Sequence, residues 1–317
     1  MTLSTELSKV VNEKLDEPIP KSCTQLMCNK KVTYKDVLNA LSGKENNYDV
    51  YIFGGAIRDL VHTGNKKELN DIDINFTMPF DEVTNVLDRL RIKHEVKEDK
   101  KYIVAGDKTH DEYLEGFFLY PDKYELCGLE SAANSLLLDV NTMKIMDLTG
   151  KGYADAGPNN GAQTYRIPCD DHDKWLNHKD NPKTLWRMLK FRNRNYTVPE
   201  EDKTSIYKHW LTTDDKNLKW DKAWKVLKRK DSKNIVDFII KDLGEIDFTN
   251  TEILQFFEKL FKYNVFDSKQ EEIIKKEISH YEQYKMLYTV IVTIILNFIF
   301  HKIYMKLVKT KSKKKKS

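Results

Sequence analysis

Two adjacent glycines, an arginine and two alternating aspartates fall within one stretch, residues 51–76, which reads YIFGGAIRDLVHTGNKKELNDIDINF. In a β-strand successive side chains point to opposite faces, so Asp71 and Asp73 would project to the same side while Ile72 and Ile74 face the core. Two nearby carboxylates repel each other unless a cation lies between them. Hard oxygen ligands of this kind suit Mg²⁺, which proteins usually hold with one or two carboxylates plus substrate phosphates. A solvated pair of aspartates on an edge strand is the alternative interpretation of this motif alone.

The glycine pair, Gly54 and Gly55, lets the backbone approach a ligand closely, or else forms a tight turn from strand to helix. A helix after such a turn directs its N-terminal amides and its dipole at the turn, where phosphate is a natural guest. Arg58, one turn into the helix, adds a guanidinium that can bind phosphate with two hydrogen bonds. Taken together, a strand, a glycine pair, a helix and a second strand with two aspartates predict a site for a triphosphate and a divalent metal.

The elements that must position these residues follow from hydrophobic patterning and turn signals. Thr33 and Gly43 are the expected start and stop of a short helix, and the segment after Trp175 turns helical. The expected strands are YDVYIFGG, LNDIDINFTM, KYIVAGD and EYLEGFFLY, and the expected helices are AIRDLVH, DEVTNVLDRLRI, TLWRMLKFRNR, WDKAWKVLKR, NIVDFIIKDL and EILQFFEKLF. SAANSLLLDV and KIMDLTG form a further pair of apolar runs that end in turns.

This pattern predicts an α+β fold: a head in which helices accompany a mixed sheet, followed by an all-helical neck and body and a C-terminal hydrophobic helix. The predicted boundaries are an N-terminal helical extension (1–30), the head (31–167), the helical neck and body (168–281), the hydrophobic segment (282–308) and a basic tail (309–317). A hydrophobic share of 40% with 32% charged residues is typical of a folded chain rather than a disordered one.

Charge is distributed unevenly along the chain. Residues 302–317 contain eight lysines and no acidic residue, and subtracting them from the net charge of +4 leaves residues 1–301 with −4. A surface that grips RNA through its phosphates must therefore be local. The four cysteines are too widely spaced for a zinc site, and no signal peptide is recognisable at the N-terminus. We therefore expect reduced thiols in a cytosolic protein that is not secreted, without a disulfide.

The segment Met286–Phe300 contains fifteen residues without a charge, and a polybasic tail follows it. A spanning helix needs about 20 residues, and extension to Val308 reaches that length while including two lysines that can snorkel. The pattern predicts attachment to membrane lipid on the cytoplasmic face, by a single pass or in the interface, with Met286, Ile294 and Phe300 as anchor residues. A buried helix is the alternative interpretation.

The motifs GGAIRD and NDIDI resemble the head signature of the bacterial-type (class II) tRNA nucleotidyltransferase and poly(A) polymerase family, within the polymerase-beta-like superfamily. Two further segments, AANSLLLDVNTMKIMDLTGKG and DNPKTLWRMLKFRNRNYTV, are similar to later motifs of that family and occur in the same order. The resemblance covers about residues 45–200. It implies a polymerase-beta-like head and template-independent addition of nucleotides from an NTP to an RNA 3′ end.

The resemblance implies a two-metal reaction in which Asp71 and Asp73 hold Mg²⁺, for which Mn²⁺ could substitute. Gly54, Gly55 and Arg58 would hold the triphosphate of the incoming nucleotide, expected to be ATP. The 3′-hydroxyl of a tRNA or mRNA would attack the α-phosphate. A third carboxylate often completes such sites. Glu115 is the candidate for it, and Glu112 is the alternative.

Departures from the family pattern concern base selection. The chain has Leu129–Glu130 where the family usually has Arg-Asp, and Asn181 and Thr184 where it has a carboxylate and an arginine. An asparagine can pair with a base edge, whereas a threonine cannot replace the planar five-donor guanidinium. Arg187 and Lys190 fit later basic positions of this motif, so Asn181, Arg187 and Lys190 complete the predicted nucleotide-binding set.

Two other functions remain open at this point. One is a degenerate head that binds nucleotide or RNA without turnover and is tethered to a membrane. The other is a transferase of the same fold with a non-RNA acceptor. The segment from Phe191 to Tyr196, FRNRNY, mixes basic and aromatic residues, which predicts either RNA stacking or a helix with a solvated basic face.

Overall fold

The structure is a computed structural model, and it describes residues 3–19, 32–43, 48–69, 72–97, 99, 101–107, 112–118, 124–178, 184–213, 232–246, 248–262, 272 and 275–276. The chain forms two compact units, Met1–Lys219 and Trp220–Ser317. The first unit contains a β-sheet with helices around it. In the second unit the described part consists of helical segments. The domain boundaries expected from the sequence stay predictions.

Within the described residues, seven strands form one mixed sheet in the order β3-β4-β5-β2-β1-β6-β7. β2 and β5 run parallel, and the other five neighbouring pairs are antiparallel. The sequence patterns predicted β1, β2, β4 and β5 as strands and marked β6 and β7 only as apolar runs that end in turns. They missed β3, whose residues are only half-buried or exposed and therefore lack a clear apolar alternation. The strands are β1 (Val50–Phe53), β2 (Ile72–Phe76), β3 (His94–Lys97), β4 (Tyr102–Asp107), β5 (Glu112–Phe118), β6 (Leu136–Asp139) and β7 (Lys144–Asp147).

Helices pack on one face of this sheet and bury its apolar side chains. Ile72 and Ile74 of β2 are 1% and 0% exposed, so the predicted inward face of that strand is confirmed. The same core takes in buried side chains from the first four helices of the chain. The helices of the first unit are α1 (Thr5–Leu15), α2 (Tyr34–Ser42), α3 (Gly55–Thr63), α4 (Phe80–Arg89), α5 (Gly152–Asp155), α6 (His172–Leu176), α7 (Thr184–Arg192) and α8 (Glu200–Thr212).

The ends of α2 show how local sequence sets an element. The Thr33 hydroxyl accepts a hydrogen bond from the Asp36 N–H, and the Asp36 carboxylate accepts one from the Thr33 N–H, which forms a capping box. Gly43 then stops the helix in the left-handed conformation, with φ of 55°. Both helix ends predicted from the sequence are confirmed.

The loop after β7 is organised around one carboxylate, that of Asp147. It accepts hydrogen bonds from the backbone N–H groups of Thr149, Gly152 and Tyr153 and from the Ser135 hydroxyl. Gly152 packs so closely here that a Cβ atom would lie 2.6 Å from the Ala132 carbonyl oxygen. This loop therefore ties β7 to the turn that precedes β6.

The two long helices that follow, α7 and α8, contact each other, and α6 contacts α8. Large aromatic side chains fill this part of the unit: Tyr165, Trp175, Phe191, Tyr207 and Trp210 are all buried. Asp202 of α8 lies among them at 1% exposure. Its carboxylate accepts a hydrogen bond from the Ile167 N–H at 3.0 Å and lies 3.3 Å from His172 Nε2.

One sequence-based expectation is wrong for two of the four cysteines. Cys127 and Cys169 form a disulfide with their Cα atoms 5.4 Å apart. They are separated by 42 residues in sequence, and only the packing of the loop before α6 against the turn before β6 brings them together. Closing a loop of this length restricts the unfolded chain and is worth roughly 4 kcal/mol. Cys23 and Cys28 lie outside the described residues.

In the second unit, α9 (Ser232–Glu245) and α10 (Asn250–Lys262) confirm the helices predicted for NIVDFIIKDL and EILQFFEKLF. The helix predicted for WDKAWKVLKR lies outside the described residues. Thr249 caps α10 through a hydrogen bond that its hydroxyl accepts from the Glu252 N–H. Within the described residues no helix is long and apolar enough to cross a membrane. The hydrophobic segment with Met286, Ile294 and Phe300 lies outside them, so membrane attachment stays a prediction of the sequence.

Candidate active site

The β-sheet register places two of the predicted catalytic carboxylates side by side. Asp73 of β2 pairs with Phe53 of β1 on one side and with Glu115 of β5 on the other. Residues directly opposite each other on neighbouring strands point to the same face. Asp73 and Glu115 therefore share the face away from the helix-covered core, and both line a cleft of about 650 Å³.

The turn after β1 forms the end of this cleft beside the carboxylates. Gly54 has φ of 75° and ψ of −139°, a conformation that side chains with a Cβ rarely adopt. It is the N-cap of α3 and makes no side-chain cap hydrogen bond, and both Gly54 and Gly55 line the cleft, so the helix begins beside the cleft. A glycine pair, a helix N-terminus and two carboxylates thus meet at one end of the sheet.

Arg58 is placed differently from the expectation of direct phosphate contact. Its side chain is 5% exposed and donates two hydrogen bonds, at 2.6 and 2.7 Å, to the Asp59 carboxylate. A third, from Nη1, goes to Asn134 Oδ1 at 2.7 Å, and the guanidinium lies 5.1 Å from the centre of the Phe191 ring. In this structure Arg58 holds the cleft wall together, and its binding of a triphosphate stays a prediction.

The wall continues from Arg58 towards α7 through a chain of polar contacts. Asn134 donates to Glu130 Oε2 at 2.9 Å, and Glu130 Oε1 lies 3.5 Å from Arg187 Nε. Three residues of this chain, Glu130, Asn134 and Arg187, line the cleft. Glu130, at a position where the sequence departs from the family pattern, thus links Asn134 to a predicted nucleotide-binding arginine.

Lys190, on the same helix as Arg187, does not line the cleft. Its Nζ lies 5.4 Å from the centre of the Trp186 ring and 5.7 Å from that of Phe191. Burial lowers the pKa of Lys190. The neighbouring guanidinium groups lower it as well, whereas the carboxylate of Glu130 raises it. Phe191 and Tyr196 are 1% and 5% exposed, so the aromatic residues of FRNRNY belong to the core rather than to an RNA-stacking surface.

Several residues in the cleft or beside it were not predicted from the sequence. Asn75 lies two residues after Asp73 and Phe117 two residues after Glu115, so strand alternation alone puts each on the same face as its carboxylate. Tyr102 follows from the register, since it pairs with Phe117, and its hydroxyl donates a 2.5 Å hydrogen bond to Glu115 Oε1. The Tyr124 hydroxyl donates to Asn75 Oδ1, a contact between residues 49 apart that no local signal indicates.

The two described carboxylates fit a divalent cation. Asp73 and Glu115 are hard oxygen donors on adjacent strands, and Mg²⁺ usually takes one or two protein carboxylates and completes its shell with water and phosphate. Within the described residues there is no group of three or more histidine, cysteine, aspartate or glutamate side chains that could hold a metal ion. A magnesium site here would rely on Asp73, Glu115 and the oxygens of a substrate.

Asp71 and Asn181 lie outside the described residues, and so does the side chain of Glu112, the alternative third carboxylate. Thr184, the first residue of α7, is 6% exposed and buried.

Comparison with known proteins identifies the fold. No protein-family model matches the sequence, and no curated protein matches it either. A solved complex of a CCA-adding enzyme with ATP aligns with a TM-score of 0.53 at 20% identity, over 78% of this chain and 56% of that chain. A complex of a CCA-adding enzyme with CTP gives a TM-score of 0.53 at 21% identity, over 78% and 54%. An apo form of a CCA-adding enzyme gives 0.53 at 20%, over 76% and 54%.

These similarities show that the chain has a mixed α+β fold like that of CCA-adding enzymes, which confirms the fold class predicted for the head. The chain spans little more than half the length of the CCA-adding enzyme structures it matches. At this level of identity the likeness concerns the fold.

Proposed function

We propose that this protein is a template-independent RNA nucleotidyltransferase that transfers nucleotides from an NTP to the 3′ end of an RNA. The observation that carries the proposal is the register of β2 and β5, which places Asp73 and Glu115 side by side next to the Gly54–Gly55 turn. The fold is shared with CCA-adding enzymes that have been solved with ATP and with CTP. Addition of CCA and addition of a single repeated nucleotide are both consistent with this site.

The reaction needs positioning more than covalent help from the protein. α3 begins beside the cleft, and the N–H groups at its start would bind the β- and γ-phosphates of the NTP. The RNA 3′-oxygen forms a bond to the α-phosphorus while the bond to the bridging oxygen breaks, and pyrophosphate leaves. The proton of the attacking hydroxyl passes to a carboxylate or to water.

Asp73 and Glu115 are the residues that would hold magnesium at this point of the cleft. Tyr102 donates a hydrogen bond to Oε1 of Glu115, which fixes the orientation of this carboxylate beside Asp73. When bound, the metal supplies positive charge at the phosphate oxygens, where negative charge develops in the transition state. Glu130 and Arg187, on the opposite side of the cleft, offer an acceptor and donors for the edge of the incoming base.

The test is a transfer assay with the full chain, Mg²⁺, each labelled NTP in turn and short RNA acceptors. We expect the parent to extend the RNA and Asp73→Asn to reduce the rate by roughly 1,000-fold or more, because a metal ligand is lost. Asp88→Asn, which changes an exposed carboxylate on α4, is the matched control and should retain full activity.

No extension by the parent with any NTP and acceptor, in the presence of measurable NTP binding, would contradict the proposal and indicate a nucleotide-binding module without turnover. Equal rates for Asp73→Asn and the parent would show that the activity does not arise at this site.

A further inference from the structure

One side of the cleft is aromatic. Phe117 is 37% exposed, and within the described part of the chain it is the one large hydrophobic side chain that is exposed. It lies on β5 two residues from Glu115, on the same face and inside the cleft. An exposed aromatic ring inside a cleft offers a face on which a nucleic-acid base can stack.

The rings around Phe117 hold it in place and leave it exposed to the cleft. The Phe53 ring packs edge-on against it, with centroids 6.3 Å apart, and the Tyr102 ring lies tilted at 5.1 Å. Tyr102 also donates a hydrogen bond to Glu115. Phe117 is therefore a fixed ring with a solvent-facing surface, next to a carboxylate of the site.

The two sides of the cleft differ in chemistry. The side next to β6 carries Glu130, Asn134 and Arg187, whose donors and acceptors can distinguish base edges. The side next to β4 carries Phe117 and the exposed Lys101, an aromatic face and a cation that bind a nucleotide whatever its base. Incoming nucleotides must be selected, whereas the end of the acceptor must be held after each addition even though its terminal base has changed.

We propose that Phe117 is the stacking platform for the 3′-terminal base of a single-stranded RNA acceptor, with Lys101 binding the adjacent backbone phosphate. This inference rests on the proposed function and identifies the side of the cleft on which the acceptor lies. Stacking on Phe117, beside Glu115, places the terminal 3′-hydroxyl near the carboxylates, while the triphosphate occupies the Gly54–Gly55 end. Phe117 is a positioning residue for the acceptor.

The test measures RNA binding separately from transfer. A short RNA with 2-aminopurine as its 3′-terminal base is titrated with the full-length protein without NTP. Stacking on Phe117 should quench the fluorescence of the parent complex. Phe117→Ala should abolish the quenching and weaken RNA binding by roughly 5- to 100-fold.

Two further variants separate stacking from apolar burial and from misfolding. Phe117→Leu keeps an apolar side chain without a π face and should behave like the alanine variant. Phe117→Trp should restore both quenching and affinity. Because the ring is partly exposed, all three variants should unfold within a few degrees of the parent.

Steady-state transfer assays then assign the ring to one substrate. We expect Phe117→Ala to raise the KM for RNA and to leave the KM for NTP unchanged. A raised KM for NTP with unchanged RNA binding would overturn the inference, because the ring would then serve the incoming base. Absence of quenching in the parent complex would overturn it too.

These assays distinguish failure of the inference about Phe117 from failure of the proposed function. If the parent transfers nucleotides and Phe117→Ala binds and uses RNA like the parent, the inference fails while the transferase stands. If no transfer occurs but quenching depends on Phe117, the platform stands and the catalytic proposal fails.

Discussion

Arg58 illustrates how the role of a single residue depends on partners that are remote in sequence. The motif GGAIRD predicts a guanidinium aimed at phosphate. In the folded chain, Asp59 takes two of its donors, and Asn134, 76 residues away, takes a third. Arg58 is 4% exposed, so its guanidinium has lost its hydration, and hydrogen bonds to protein groups replace the lost water. Its chemistry in this structure is that of a buried connector between α3 and the turn before β6.

A lysine substitution distinguishes a structural role of Arg58 from a role in binding the triphosphate. Arg58→Lys removes the planar fork and should lower the free energy of unfolding by about 2–4 kcal/mol, because buried acceptors on Asp59 and Asn134 lose their donors. The measurement is urea denaturation. The folded variant should bind NTP with nearly the affinity of the parent.

Arg194→Lys is the control. Arg194 is exposed in the turn after α7, and its substitution should change the free energy of unfolding by less than about 0.5 kcal/mol. If Arg58→Lys leaves stability intact and weakens NTP binding by tenfold or more, the guanidinium contacts the triphosphate and the interpretation as a connector is wrong.

At the scale of elements, α8 depends on one buried carboxylate. Asp202 accepts from the Ile167 N–H and lies beside His172, so it joins α8 to the segment that leads into α6. Burial raises the pKa of Asp202 above its ordinary value of 3.8, against the opposing effects of the Ile167 hydrogen bond and of His172.

This raised pKa predicts the pH dependence of stability. The folded state keeps the Asp202 proton to higher pH than the unfolded state, so the free energy of unfolding falls as pH rises from 3.8 through the raised pKa. Each unit by which the pKa is raised corresponds to about 1.4 kcal/mol. Asp202→Asn lacks this group, and its stability should fall less than that of the parent over the same range.

The measurement is urea denaturation of parent and variant at a series of mildly acidic to neutral pH values. Asp170→Asn changes an exposed carboxylate and should follow the parent throughout. Parallel curves for the parent and Asp202→Asn would show that Asp202 does not titrate with a raised pKa.

At the scale of the whole molecule, the first unit holds what the site needs. The core cluster of the sheet and its helices runs from Leu3 to Ala156, and α7 and α8 complete the unit up to Lys219. The Asp73–Glu115 pair, the Gly54–Gly55 turn and Arg187 all belong to it.

A protein ending at Lys219 should therefore fold by itself. We expect one cooperative thermal transition, because the fragment retains the sheet and its buried faces. Circular dichroism and calorimetry measure it. A shorter fragment ending at Pro199 lacks α8 with its buried Tyr207 and Trp210, and should lose cooperativity. A broad, non-cooperative transition for the longer fragment would show that the second unit is needed for folding.

Most of the strands, several helices and the local chemistry of the site could be predicted from the sequence. Alternation along β2 put Asp73 opposite the core face, and the glycine pair with Thr33 and Gly43 marked where helices begin and end, because these signals act between residues that are neighbours in the chain. Strand alternation likewise puts Asn75 on the same face as Asp73, and Phe117 on the same face as Glu115.

Which strands pair and which helices contact them follows only from the tertiary structure. The parallel pairing that sets Glu115 beside Asp73, the hydrogen bond from Arg58 to Asn134, and the disulfide between Cys127 and Cys169 each join residues at least 42 positions apart. Such contacts depend on strand order and on the packing of helices against the sheet. These are properties of the whole core, and no local pattern in a single sequence encodes them.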